Sequence, residues 1–200
     1  NHPMFDHLIY TQKSIYDAAR HVVPGKSYTF LSNHYRCRND IIQFANSAHW
    51  YDERLEVFTN EDVLKRPDWW KRGIIWEQVQ SAGTGDGKKY LLNEEIEHAV
   101  ALVRELETRN YEGTVGIVCP FQDMTDRIRD AVAGSVSAHV PRVTNFEAQT
   151  AHGFQGDARD IIIFVMGIHA DMPKGKRWFI SDANKNLFNV ALSRAKAAFV

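Results

Sequence analysis

The stretch T-A-H-G-F-Q-G-D-A-R-D-I-I-I-F-V, residues 150–165, decides the fold. A polar loop punctuated by two glycines runs straight into five apolar residues, 161–165. An unbroken β-branched run of that kind suits a strand buried on both faces of a parallel sheet. The loop is therefore expected at a sheet edge, where α/β proteins place their ligand chemistry, and Gln155, Gly156 and Asp157 are the first candidates for function.

Working outward, strands alternate with helices. Asn93, Glu94 and Glu95 read as an N-cap with first-turn acids. Behind them Ile96, Ala99, Val100, Val103 and Leu106 recur at helical spacing. Residues 115–119 form a buried-type strand that stops at Pro120. A loop through Phe121, Gln122 and Asp123 then leads to a helix carrying Met124, Ile128, Ala131 and Val132. Val143 and Thr144 are read as a short strand. Upstream, residues 14–21 read as a short helix, 28–31 as a strand, 32–38 as a polar turn, and a helix runs from Asn39 to Tyr51. Downstream, 186–197 read as an amphipathic helix and a last strand begins at Ala198. No internal repeat appears, so the class is α/β, with a mainly parallel sheet between two helical layers.

Residues 55–92 fit this alternation least. They hold Pro67, three tryptophans (Trp69, Trp70, Trp76) and the G-T-G-D-G-K-K run at 83–89, and are read as an insertion or hairpin. The run is not a Walker A loop, G-x-x-x-x-G-K-[ST]. Ala82 holds the first glycine position and Lys89 the hydroxyl position.

The chain has 200 residues, 44% of them hydrophobic and 12% aromatic, enough for one sizeable core. A net charge of −1 requires any nucleic-acid contact to come from a local basic surface. Cys37 and Cys119 form no C-x-x-C and read as reduced thiols of a cytoplasmic protein. The apolar run at 161–168 is far short of the roughly 20 residues of a membrane span. The chain opens on Asn1 and stops within an apolar run, which reads as a piece of a longer protein. Nine histidines show neither H-E-x-x-H nor Cys/His metal spacing, and no G-x-S-x-G elbow is present.

Four ordered motifs remain. They are H-Y-R-C with I-I-x-F-A-N-S-A-x-W-Y behind it, V-G-I-V-C-P-F, T-A-H-G-F-Q-G-D-A-R-D-I-I-I-F, and N-V-A-L-S-R-A-K. Together they resemble the second RecA-like domain of superfamily 1 helicases, closest to the branch of the nonsense-mediated-decay and Okazaki-processing helicases. The resemblance implies a RecA-like, P-loop NTPase-type three-layer fold without its own Walker A loop. It also implies half of an ATP-dependent motor. ATP and Mg²⁺ would be held mainly by the first RecA-like domain of the same parent chain, and this fragment alone would be inactive. It assigns Arg36 and Arg194 as arginine fingers, and Gln155, Gly156 and Asp157 to the nucleotide. Thr150, His152, Pro120, Phe121 and Gln122 fall to a single strand of DNA or RNA, with Lys174, Lys176 and Arg177 adding charge. No membrane partner is implied. The chain departs from the family at Ala158, where a glutamate is usual, at Asn186-Leu187-Phe188, where two arginines and a hydrophobe are usual, and at Met124. These departures motivate the alternative of a catalytically weakened nucleic-acid-binding or regulatory module.

Overall fold

The computed structural model describes residues 15–22, 29–47, 50–81, 91–135, 146–151, 153–154, 157–169, 172, 177–181 and 184–200. Two units are distinguished, residues 1–32 and 33–200. In the first, helix α1 (Ile15–Val22) is the only described element, and both its terminal apolar residues, Ile15 and Val22, are exposed.

In the second unit a five-stranded sheet is ordered β3 (Gly73–Ile74), β7 (Ala195–Phe199), β6 (Arg159–Phe164), β4 (Val115–Val118), β5 (Phe146–Gln149), and every pairing is parallel. Strand β6 sits at the centre because its isoleucines can be buried on both faces. Ile161 and Ile163 join Ile117 and Ala198 under α3 (Asn93–Thr108) and α4 (Gln122–Ser135). Ile162 joins Val118 and Phe199 under α2 (Asn39–Ser47) and α5 (Lys185–Leu192). The side-chain period of two thus divides one apolar run between two cores and makes the three layers of a RecA-like α/β fold. A separate two-stranded parallel sheet joins β1 (Asn33–His34) to β2 (Glu56–Val57).

Several local readings change, and helix α2 ends at Ser47 rather than at Tyr51. The two short strands within 55–92 pair with β1 and β7 rather than with each other, so β3 is an edge strand of the main sheet. Trp70 is buried in the core, and Trp69 packs edge-on against it under the Arg109 guanidinium. Residues 33–34, read as a turn, are strand β1, whereas 29–31 carry no regular structure. The last helix ends at Leu192 and β7 begins at Ala195, because the small alanines of 195–198 fit a ladder against β6 as well as they fit a helical stripe. Leu92, not Asn93, is the N-cap of α3. Val143 and Thr144 lie outside the described residues, and the neighbouring strand is β5.

The opening loop has a different course from the one expected. Strand β5 ends at Gln149 and β6 starts at Arg159, the two are parallel, and β4 lies between them. Residues 150–158 must therefore return from the C-terminal edge of the sheet to its N-terminal edge, across β4. Ala151 and Phe154 belong to the core beneath α2 and α5, which fixes the face that is crossed. Phe154 N–H donates to Thr150 O (3.2 Å) and Asp157 N–H to Phe154 O (3.2 Å), giving the crossing its turns. Gly116 permits it: a Cβ there would stand 2.8 Å from Phe154 Cζ, 2.8 Å from Ile162 Cδ1 and 3.0 Å from Arg159 Cγ.

Candidate nucleotide and nucleic-acid sites

At the N-terminal edge of the sheet, the turn between α5 and β7 carries Ser193 and Arg194. The turn after β1 carries Arg36. Arg36 Nη1 donates to Ser193 O at 3.4 Å, so two arginines far apart in the chain meet at neighbouring residues. Arg194 donates from Nε to Val190 O (3.2 Å), completing the C-terminus of α5, and from Nη1 to Asp157 O (3.1 Å). Neither guanidinium has a carboxylate within 4 Å among the described residues. Burial first, and then the Arg36 charge, lower the Arg194 pKa from its ordinary value. Two cations placed together repel each other, which a phosphate arriving between them would offset, and its oxygens match their donors.

The groups beneath them keep the pair in place without adding charge. Cys37 Sγ donates to Ser193 O (3.5 Å), and burial pushes this thiol up to about 12, so it stays neutral. Cys37 N–H donates to His34 Nε2 (2.8 Å), which fixes that nitrogen as the unprotonated one. Burial, then Arg36, lower the His34 pKa. Cys119 is likewise buried and raised to about 12.

Asp157 lies at the same edge. Its carboxylate accepts from Ala158 N–H (2.8 Å) and pairs with Arg159 Nη1 (2.6 Å). The Arg159 bond, then the Ala158 N–H, hold it below the usual carboxylate range. Gln155, Gly156 and His152 lie outside the described residues.

The expected strand contacts stand at the opposite, C-terminal edge. Thr150 follows β5 and Pro120 follows β4, and both line a small cleft with Ala151, Trp178 and Phe179. Gln122 opens α4 with an exposed side chain bonded to Asp126 (2.9 Å). Phe121 differs. Its ring is turned into the core, edge-on to Phe179 at 5.5 Å, and Gly167 approaches it so closely that a Cβ there would stand 2.9 Å away. The Phe121 side chain is thus part of the core. Trp178, which sequence reasoning passed over, is 40% exposed beside Pro120 and Thr150, on a short 3₁₀ turn anchored by Phe179. The only signal for it in the sequence was an aromatic pair beside a basic loop. Of that loop Lys174 and Lys176 lie outside the described residues, and Arg177 Nε donates to Met172 O.

An apolar cavity of about 300 Å³ lies elsewhere, between α3 and the ends of β3, β6 and β7, and none of the expected site residues lines it. At its rim Glu95, which sequence reading gave only a helix-dipole role, accepts the Gly167 N–H at 2.9 Å. No group of three or more His, Cys, Asp or Glu among the described residues could hold a metal. No described helix is long and apolar enough to cross a membrane.

A five-stranded parallel sheet between two helical layers defines an α/β domain of the RecA-like type. The chain belongs to the AAA domain family, whose model matches residues 6–200. It is similar to helicase sen1 of Schizosaccharomyces pombe, with 27% identity over 179 residues, or 85% of this chain and 10% of sen1. The chain thus spans about a tenth of the length of sen1. The helicase resemblance carried by the four motifs is borne out by these matches.

Proposed function

We propose that this chain is the second motor domain of an ATP-dependent helicase or translocase working on single-stranded DNA or RNA. The observation that carries this reading is the meeting of Arg36 and Arg194 at one sheet edge, with no carboxylate within 4 Å of either among the described residues. In the parent protein a first RecA-like domain would hold most of the ATP and its Mg²⁺. Closure of the two domains would bring these guanidiniums to the terminal phosphate. A guanidinium suits that task because its charge is fixed and its fork of donors matches phosphate oxygens as negative charge spreads over them. Thr150, Pro120 and Gln122 would hold the sugar-phosphate backbone of the strand at the far edge, giving position without sequence information. Asp157, with Gln155 and Gly156, would face the nucleotide.

A second reading has its own support. Ala158 stands where relatives usually carry a carboxylate, and the nearest one, on Asp157, is already engaged by Arg159. That favours a module in which strand binding persists while hydrolysis is weak. Strand-stimulated ATPase of the full-length parent protein separates the two. For a motor, Arg194→Ala lowers turnover by roughly 10³ to 10⁵, the range seen for arginine fingers, and Arg194→Lys does not restore it. Turnover that is unchanged in Arg194→Ala sinks the motor role. Strand binding with negligible wild-type turnover establishes the second reading.

A further inference from the structure

Arg159 begins the central strand, and its side chain is only 14% exposed. It does not extend over its own strand. Gly116 on β4 is paired with Glu147 on β5 on one side and with Ile162 on β6 on the other. A Cβ on Gly116 would lie 3.0 Å from Arg159 Cγ, so the arginine stem crosses β4 where β4 has no side chain. On the far side Nη2 pairs with the Glu147 carboxylate, and Nη1 holds Asp157 Oδ2 at 2.6 Å. The guanidinium carbon stands 5.7 Å from the centre of the Phe154 ring. The same residue's backbone N–H donates to Arg194 O at 3.0 Å, and the Asp157 whose carboxylate it grips accepts Arg194 Nη1 on its carbonyl at 3.1 Å.

From this we infer that Arg159 is the positioning residue of Arg194, an inference that rests on the motor reading above. Arg159 fixes the finger at both ends: the main chain through its own N–H, and the guanidinium through Asp157. Glu147 fixes Arg159 in turn. An arginine is required because one planar head must satisfy two carboxylates on different elements, which an ammonium on a flexible stem does less well. Positioning acts on the step in which the finger is used, so its loss lowers kcat and leaves nucleotide and strand binding nearly intact.

The test uses the full-length parent protein, with strand-stimulated ATPase measured against ATP concentration, and strand affinity measured separately. Arg159→Met keeps the stem and removes the fork. It is expected to lower kcat about 10- to 100-fold, the scale of a misplaced catalytic group, with KM for ATP and strand affinity within about twofold. Arg159→Lys is expected to recover part of kcat. A purely structural arginine would lower the melting midpoint and the active fraction but not the turnover of each active molecule, and that outcome overturns the assignment. Should Arg159→Met fail to fold, Glu147→Gln, at a partly exposed position, is expected to lower kcat about two- to fivefold at constant KM. Unchanged kcat there overturns it as well. Arg194→Ala is the control. An inactive Arg194→Ala beside a fully active Arg159→Met refutes the positioning role alone, whereas a fully active Arg194→Ala refutes the motor reading on which it rests.

Discussion

Gly116 is the position at which the crossing loop can be challenged most directly. Replacing it with alanine puts a methyl group 2.8 Å from Phe154 Cζ and from Ile162 Cδ1, and 3.0 Å from Arg159 Cγ. All three lie well inside the roughly 3.5–4.0 Å at which carbon atoms sit comfortably. The Ile162 methyl is a chain end and can rotate away. Phe154 cannot, because its ring is 1% exposed and closed in by the α2 and α5 core. Overpacking of a filled core costs about 1–3 kcal/mol, and the reduced freedom of the unfolded chain returns about 0.4–1 kcal/mol of that. The expected net loss is about 1–2 kcal/mol, a fall in melting midpoint of about 2–8 °C for a chain of this length. Gly116→Val, with two further methyls in the same space, is expected to lose more than about 3 kcal/mol. Thermal and urea melts of the 200-residue chain, followed by circular dichroism, give both values. Alanine and valine variants melting at or above the wild type would refute the placement of the loop across β4, and with it the route by which Arg159 reaches Glu147.

Two more outcomes follow from groups near the arginines and at the start of the central strand. His34 accepts the Cys37 N–H and has a lowered pKa, so the folded state disfavours its protonation. Between the lowered folded value and the ordinary 6.5 the unfolded chain binds more protons. The His34 contribution is therefore complete above about 6.5 and is lost as pH falls towards the folded value. Urea midpoints between pH 7.5 and 5 should fall less steeply in His34→Gln, whose side-chain oxygen can accept the same N–H. Equal slopes would rule out His34 as the source. Asp160, 6% exposed, accepts from Thr114 N–H (2.8 Å) and Thr114 Oγ1 (2.7 Å), tying the start of β6 to the residue before β4. Asp160→Ala strands both donors and is expected to cost about 2–4 kcal/mol in urea unfolding, with Asp160→Asn losing less because it retains an acceptor. A neutral Asp160→Ala would contradict this anchoring.

Sequence alone determined the α/β class of the protein and named Arg36 and Arg194 as candidates, but not Arg159, Gly116 or Trp178. An apolar run at 161–165 suits a strand buried on both faces, and the alternation of strands with helices makes that strand part of a parallel sheet. The helical period of α3 is legible because every residue that sets it, from Ile96 to Leu106, lies on one continuous element. The motifs named Arg36 and Arg194 one at a time. Their meeting was not legible, since it depends on β1 and the α5–β7 turn being folded to one edge. Nor was the inward ring of Phe121, which needs Phe179 and the positive φ of Gly167 beside it. The tertiary structure also decided the meaning of residues 150–158. Local pattern places a loop between two strands without saying which strand separates them. With β4 in between, the loop must cross the sheet, so Thr150 stands at one edge and Asp157 at the other, with Arg159 spanning the gap that Gly116 leaves open. Strand order is a non-local choice, set by which buried faces fit together across the whole chain, and no window of sequence contains it.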